Sequence, residues 1–212
     1  MGNLHRLANG LGGSVAQAVV SAKSGREPIR FNKPTILGVG TMVWLGSEMM
    51  FFSGLFAAYF TIRAHDGKPW PPAGVHLDVL QAGIFTAILV MSSVTMQKAV
   101  FEAEHNRLRS AKWWIVLTIV MGASFVANQA VEWHKFTFGP QTNAYGSLFY
   151  LMSGLHGLHV ILGLVAMGFL LLRMSGQSKD HGRLAVIQSV SYYWHFVDVV
   201  WVALYACLFL LH

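Results

Sequence analysis

The sequence predicts an all-α protein, a polytopic transmembrane bundle of five helices. Hydrophobic residues make up 54% of the 212 residues and charged residues only 11%, whereas a soluble domain has roughly 25% charged residues. A chain of this length has too little interior to hide that much apolar surface from water. The apolar residues also fall into five runs of about 20 residues or more, the length that crosses the hydrocarbon core of a bilayer.

Helices are the expected form of these runs, because a segment in lipid must satisfy its own backbone hydrogen bonds. A membrane β-barrel would instead show strands of about ten residues with alternating polarity. The runs show no such alternation. The five predicted spans are residues 36–62, 79–98, 113–134, 145–172 and 186–211.

The first 34 residues differ from the rest of the chain. They are polar and rich in glycine, alanine and serine, and their longest apolar stretch, residues 15–22, is too short and too weakly apolar for the core of a signal peptide. We therefore expect a polar cytoplasmic arm over residues 1–34 and a five-helix membrane domain over residues 35–212.

Lysine and arginine are distributed unequally between the two sides that five spans would separate. Twelve of the 15 lie in the arm or around the connections after the second and fourth spans, and three lie around the connections after the first and third. Connections that carry lysine and arginine stay on the cytoplasmic side of a membrane. This bias predicts a cytoplasmic N-terminus and an external C-terminus.

Charge and cysteine content exclude several classes of protein. The formal net charge is +6, but the basic residues lie between the spans and form no basic helix, so we expect no nucleic-acid partner. Cys207 is the single cysteine, which excludes an intrachain disulfide and a thiolate cluster for zinc or iron–sulfur. Phosphate loops, dinucleotide glycine motifs and nucleophile constellations are also absent from the sequence. We therefore expect no catalytic residue.

Glu48 lies about 18 Å along the first span at 1.5 Å per residue, near the middle of the bilayer. An ionised carboxylate at that depth costs at least ~2.5–3.5 kcal/mol unless it is paired or hydrated. We expect Glu48 to be protonated and buried by packing. A proton-relay role is the alternative.

Four further ionisable residues reach a similar depth. His156 and His159 stand three residues apart in the fourth span, and His195 and Asp198 share one face of the fifth span with Gln188. We expect all four side chains to face other helices or a neighbouring protein. For the histidine pair we favour hydrogen bonds between helices over a metal site, because a carboxylate di-iron site needs two Glu-x-x-His motifs and the sequence has none.

Several stretches resemble subunit III of the haem–copper cytochrome c oxidases, in chain order over about residues 35–212. They are Ser47–Gly54, Trp70–Pro72, Gln129–Glu132, Tyr145–Ser147, Gly154–Val160 and Tyr193–Trp201. The last two are the most specific. The longer form of the family has seven spans, and this chain is similar to the short five-span bacterial form. Lipid contacts made by the two missing helices therefore do not carry over.

The resemblance implies a non-redox subunit of a proton-pumping oxidase that reduces O₂ to water in aerobic respiration. Haem and copper would belong to partner subunits and no metal to this chain. The chain would lie against subunit I in a bacterial plasma membrane, with subunit II and other oxidase subunits in the complex. A respiratory supercomplex is a further possible assembly.

The resemblance also assigns residues. Glu48 matches the family's intramembrane glutamate, and the histidines and Asp198 match its signature polar positions. Arg173 matches an arginine that meets a lipid headgroup, and a bound anionic phospholipid is implied there. An arginine at a helix end is suited to grip a phosphate.

Three alternatives remain open from the sequence alone. The quinol-oxidising branch of haem–copper oxidases shares this subunit type, although the stretch Tyr193–Trp201 looks closer to the cytochrome c branch. A stand-alone membrane metalloprotein would carry its own metal or haem. A proton transporter built around Glu48 would be expected to show inverted repeats or broken helices, and neither is evident.

Overall fold

The computed structural model describes residues 36–66, 70, 78–136, 138–175 and 182–211. Within these ranges the chain is helical and contains no strand. The arm predicted over residues 1–34 lies outside the described residues. Five helices are long and apolar enough to cross a membrane, which confirms the predicted fold class.

The five helices follow one another with short connections. They are α1 (Ile36–Asp66), α2 (Val79–Glu104), α3 (Leu108–Lys135), α4 (Ala144–Ser175) and α5 (Arg183–Tyr205), and α5 continues as a short π-helix (Ala206–Leu210). Most of them extend past the predicted spans at one or both ends. Each helix that extends past its predicted span gains at least one charged residue there, which is why the extra turns were not counted in the apolar run.

Two polar residues help to define the ends of α2. The Asp78 side chain accepts a hydrogen bond from the backbone N–H of Gln81 at 3.1 Å, and this caps the first turn. At the other end Asn106 adopts a φ of 60°, a left-handed conformation in which asparagine is enriched. The chain reverses there and enters α3 within a few residues.

Helices α2, α3, α4 and α5 form a closed ring in which each packs against the next and α5 returns to α2. α1 lies outside this ring and packs mainly on α5, with a smaller contact to α4. Only 11% of the residues in its most apolar stretch are buried, compared with 61% in that of α5. α1 is therefore the peripheral helix, and α5 is the most buried helix.

Two tryptophans of α5 fill the ring. The indole N–H of Trp194 donates to the hydroxyl of Ser92 and that of Trp201 donates to the hydroxyl of Thr86, each at 2.9 Å. Both indoles are buried and both hydroxyls lie on α2. Large aromatic surfaces thus occupy the centre, and their single polar atoms are satisfied by one neighbouring helix.

Glycine makes room for one of these rings. A Cβ on Gly163 of α4 would come within 2.9 Å of the Trp194 ring, and one on Gly122 of α3 within 2.7 Å. Gly40 and Gly46 of α1 have no such neighbour, because nothing lies within 4 Å of a Cβ built on either. α1 packs through larger side chains such as the buried Phe52.

The end of α1 is tied to the end of α5. Tyr59 donates its hydroxyl to the carbonyl of Cys207 at 3.0 Å and accepts a bond from the indole of Trp70 at 2.9 Å. Arg63 donates to the carbonyl of Leu211 at 2.8 Å. Cys207 lies among the last residues of the π-helix, and the carbonyls at a helix end have no partner within the helix, so the Cys207 carbonyl is left for a side chain to use.

Candidate functional site

The five intramembrane residues predicted from the sequence do not form one cluster. The structure divides them between two hydrogen-bonded groups on different sides of α5, and leaves one histidine apart from both. Glu48 and His159 form the first group, and His195 and Asp198 belong to the second. His156 is the separate ring.

Glu48 of α1 meets His159 of α4, and this contact joins the peripheral helix to the ring. The carboxylate oxygen Oε2 lies 3.2 Å from Nε2 of the imidazole, and the other ring nitrogen, Nδ1, lies 2.7 Å from the carbonyl of Leu155. The Glu48 side chain remains 22% exposed and that of His159 11%. Both positions are close to the middle of their helices and therefore near the bilayer midplane.

The hydrogen-bond partners determine how many protons this contact holds. A carbonyl only accepts, so Nδ1 of His159 must carry a hydrogen. Nε2 then either accepts a hydrogen from a protonated Glu48 or, on an imidazolium, donates one to the carboxylate. In both arrangements a single proton lies between Oε2 and Nε2. The contact is therefore able to hold one proton and to shift it over a short distance.

Aromatic rings enclose this pair. Phe52 packs edge-on to the His159 ring with centroids 5.2 Å apart and also meets Phe196 at 6.4 Å. Tyr193 donates its hydroxyl to the carbonyl of His159 at 2.9 Å and stacks on Trp44 at 5.3 Å. Low polarity around the pair strengthens the bond within it.

The second group joins α5 to α2. Ser93 of α2 bonds both to Oδ2 of Asp198 and to Nδ1 of His195, the latter at 2.9 Å. Nε2 of His195 lies 3.2 Å from the amide oxygen of Gln97, one turn further along α2. His195 and Asp198 do share a face of α5, as predicted, and the hydroxyl of Ser93 bridges them.

The serine hydroxyl has one hydrogen, which restricts the protonation states of this group. If Ser93 donates to Asp198, then Nδ1 of His195 must donate to Ser93. If Asp198 carries the proton and donates to Ser93, then Ser93 donates to Nδ1. The three groups thus have two matched hydrogen-bond patterns. Asp198 is only 4% exposed, and its Oδ1 has no partner among the described residues.

His156 lies inside the ring rather than in either group. It is fully buried, its ring stacks on Trp201 with centroids 4.9 Å apart, and Phe125 meets it edge-on. Neither ring nitrogen has a hydrogen-bond partner within the described part of the chain. The hydrogen bond between helices expected for His156 is therefore not found there, and its role in the structure is packing among aromatic rings.

The basic end of the bundle comprises the α2–α3 connection, the end of α4 and the start of α5. Arg173 lies exposed in the last turn of α4, where a positive charge also favours the helix dipole. Lys98 lies over the ring of Trp114 at 4.8 Å. The basic side chains described at this end are Lys98, Arg107, Arg109, Lys112, Arg173 and Arg183.

Sequence reasoning missed the residues of α2 that complete these groups. Thr86, Ser92, Ser93 and Gln97 supply the partners of Trp201, Trp194, Asp198 and His195. A signal was present, because the second span contains the polar run Ser92-Ser93-Val94-Thr95 within apolar sequence. Serine and threonine are common in membrane helices, and this hid its significance.

The two groups of polar side chains can form hydrogen bonds between helices and can hold protons within those bonds. No group of three or more histidine, cysteine, aspartate or glutamate side chains in the described ranges is placed to hold a metal ion.

Comparisons of this chain with a family model and with curated relatives indicate the same family. The family model described as cytochrome c oxidase subunit III matches residues 26–211. A relative from Mycobacterium leprae, named probable cytochrome c oxidase subunit 3, is 46% identical over 181 residues, which cover 84% of this chain and 89% of the relative. Proteins named cytochrome c oxidase subunit 3 from Corynebacterium diphtheriae and Thermostichus vulcanus are 42% and 33% identical, with the same shares of each chain covered.

Proposed function

Because the chain belongs to the cytochrome c oxidase subunit III family, we propose that it is a non-redox subunit of a proton-pumping oxidase that reduces O₂ to water. The match over residues 26–211 is the observation that carries this proposal, since it includes all five helices. In this proposal the chain lies in a bacterial plasma membrane and takes part in aerobic respiration.

The haems and coppers of the complex would belong to partner subunits. Hydrogen-bonded side chains and aromatic rings occupy the interior of the bundle, as the two tryptophans of α5 illustrate. The chain contributes a rigid helical scaffold that lies against subunit I, with subunit II and other oxidase subunits in the same complex.

The basic end would face the cytoplasm and hold anionic phospholipid. Arg173 is the proposed headgroup contact, because it is exposed at the end of α4 and its guanidinium suits a phosphate. Each such contact near the membrane surface contributes about 1 kcal/mol. The retained lipid and the scaffold would together stabilise subunit I and support its proton uptake from that side.

The test compares the oxidase with and without this chain at matched haem content, by oxygen consumption over time. We expect equal initial rates and an intact haem spectrum, followed by a faster loss of activity in the stripped enzyme. An Arg173→Ala variant should show a milder loss together with less bound anionic lipid, and Lys135→Ala, an exposed basic residue at the opposite end of the bundle, serves as the control.

Two outcomes would contradict the proposal. Equal initial rates with equal decay would mean that the chain does not support turnover. An immediate loss of all activity with haem retained would assign it a direct catalytic part.

A further inference from the structure

An open pocket lies at the basic end of the bundle, where α2 turns into α3. Its volume is about 710 Å³. The lining residues are Asn106, Arg107, Leu108, Arg109, Ser110 and Trp113. We call this concavity the α2–α3 pocket. It contains the tight reversal of the chain at Asn106, and its lining combines polar and apolar side chains.

The charged side chains of the lining are all positive. They are Arg107 and Arg109, and no carboxylate lines the pocket. Arg107 lies 3.8 Å from Glu102 in a long ion pair, and its own side chain is 68% exposed, so most of its guanidinium donors stay available. Arg109 is exposed and has no hydrogen-bond or ion-pair partner in the described part of the chain. The pocket therefore carries positive charge that the neighbouring residues do not neutralise.

Neutral donors stand beside these charges. The hydroxyl of Ser110 and the side-chain amide of Asn106 make no hydrogen bond with any of the described residues, and both residues are at least partly exposed. Guanidinium, hydroxyl and amide groups are all able to donate to an anion that has several acceptor oxygens. A phosphate is such an anion, and arginine binds it with paired hydrogen bonds.

The remaining lining is apolar. It is formed by Leu108 and Trp113, and the indole of Trp113 is 71% exposed. Trp113 stands four positions after Arg109, so the two side chains lie on the same face of α3, about 6 Å apart along its axis. A water-soluble anion would leave this apolar surface exposed. The glycerol and the first methylene groups of a lipid would cover it.

The order of the two residues along α3 agrees with the layers of a membrane. Trp113 begins the apolar run 113–134, and Arg109 lies outside that run on the side of the basic connection. Tryptophan is enriched at the boundary between headgroups and acyl chains, and basic residues just beyond it attract anionic headgroups. The donors thus lie at the level of phosphates and the indole at the level of the first methylenes. This order favours an anionic amphiphile over a free anion or an acidic peptide.

We propose that the α2–α3 pocket binds the headgroup of an anionic phospholipid, with the phosphate at Arg109 and Ser110 and the acyl chains along Trp113. The inference rests on the proposed function, which assigns anionic lipid to the basic end through Arg173. It adds a second and separate binding site, formed by different helices from the one that carries Arg173.

Photolabelling of the purified oxidase tests this site. The probe is a phosphatidylglycerol that carries a diazirine on its headgroup, and mass spectrometry locates the label. We expect label within residues 106–113, suppressed by an excess of unlabelled phosphatidylglycerol and little affected by the same excess of phosphatidylcholine or of inorganic phosphate. Suppression by inorganic phosphate would indicate a site for a free anion and would overturn the proposal. Absence of label from this segment would do so as well, as would be found if an acidic segment of another subunit covered the pocket.

A pair of variants tests the contact with Arg109. Arg109→Gln removes the charge, and Lys112→Gln makes the same change in charge on the same helix at a residue outside the lining. We expect Arg109→Gln to lower the yield of label in residues 106–113 about fivefold, which corresponds to the ~1 kcal/mol of a basic residue near an anionic membrane surface. Lys112→Gln should keep most of the label, at equal haem and subunit content. An equal loss in both variants would mean that the basic end attracts lipid only generally, and would overturn the site.

The two proposals fail in different ways. If the wild-type chain does not co-purify with haem and copper, the proposed function fails. If it co-purifies and Arg173→Ala lowers the bound lipid while residues 106–113 remain unlabelled, the function stands and the assignment of the α2–α3 pocket is wrong.

Discussion

At the residue scale, the contact between Glu48 and His159 is a hydrogen bond that holds one proton between two helices. Its geometry requires a hydrogen on Nδ1 of His159, which faces a backbone carbonyl at 2.7 Å. When the side chain at position 48 is a neutral donor, Nε2 of His159 therefore accepts a hydrogen bond from it. A neutral glutamine meets that requirement through its amide.

We therefore predict that a Glu48→Gln oxidase assembles and keeps most of its activity, because the glutamine amide donates to Nε2 of His159. Glu48→Leu is the matched control that removes the hydrogen bond and retains the size. Its assembly should be weaker, since the imidazole nitrogen is left without a partner in an apolar site. Oxygen consumption and subunit content at equal haem provide the measurement.

Infrared difference spectra of the wild-type enzyme give an independent check. An ionised carboxylate band at pH 7 that vanishes in the glutamine variant would contradict the expectation that Glu48 is protonated. Severe loss of activity in Glu48→Gln with normal assembly would instead assign Glu48 a proton-transfer role.

The sequence identified the polar residues better than it identified their partners. Burial cost alone indicated that Glu48, His159 and Asp198 need polar contacts, and the structure supplies one for each. Which residues would meet depended on the rotation of each helix about its axis. Membrane spans are only weakly amphipathic, so their sequences do not specify this rotation. The bridging role of Ser93 could not be predicted for that reason.

At the element scale, α5 organises the ring through the Trp194 indole. The ring contacts α2 by a hydrogen bond to Ser92 and fits against glycines of α3 and α4. The indole ring leaves no room for a side chain at those two positions, which explains why both are glycine. The predicted spans contained the tryptophan and both glycines, but their distant positions in the chain gave no sign that they meet.

A methyl group added beneath Trp194 should therefore destabilise the bundle. Gly163→Ala places a Cβ within 2.9 Å of the indole, and we expect a loss of about 1–3 kcal/mol, the usual effect of overpacking. Gly168→Ala on the same helix is the control, because nothing lies within 4 Å of its Cβ. The measurement for both variants is the midpoint of thermal unfolding of the purified oxidase, monitored by the release of this subunit. Equal midpoints would show that α4 moves freely away from α5.

At the scale of the whole molecule, the charges divide the bundle into two unlike ends. The basic end holds the α2–α3 connection, and the opposite end holds the α3–α4 connection. The distribution of lysine and arginine along the sequence predicted this division, as the positive-inside rule expects. The number and order of the helices were predicted equally directly, because the length of each span is set by the thickness of the bilayer rather than by contacts between helices.

Labelling from one side of the membrane tests the orientation. In a Cys207→Ala background, we expect Gln141→Cys in the α3–α4 connection to react with a membrane-impermeant maleimide in intact cells. Asn106→Cys in the α2–α3 connection should react only after the membrane is opened, and both positions are exposed in the structure. The reverse pattern would place the basic end outside and would contradict cytoplasmic proton support.

The peripheral position of α1 has a consequence for biosynthesis. α1 is made before its partners α4 and α5, and Glu48 remains without its histidine partner until the chain is 111 positions longer. At 5–20 residues per second that delay is roughly 5–20 seconds. For that interval the nascent helix must keep a carboxyl group in lipid or against the insertion machinery. Dependence on a membrane insertase should therefore be strongest for this first helix, and it should end when the fourth helix arrives.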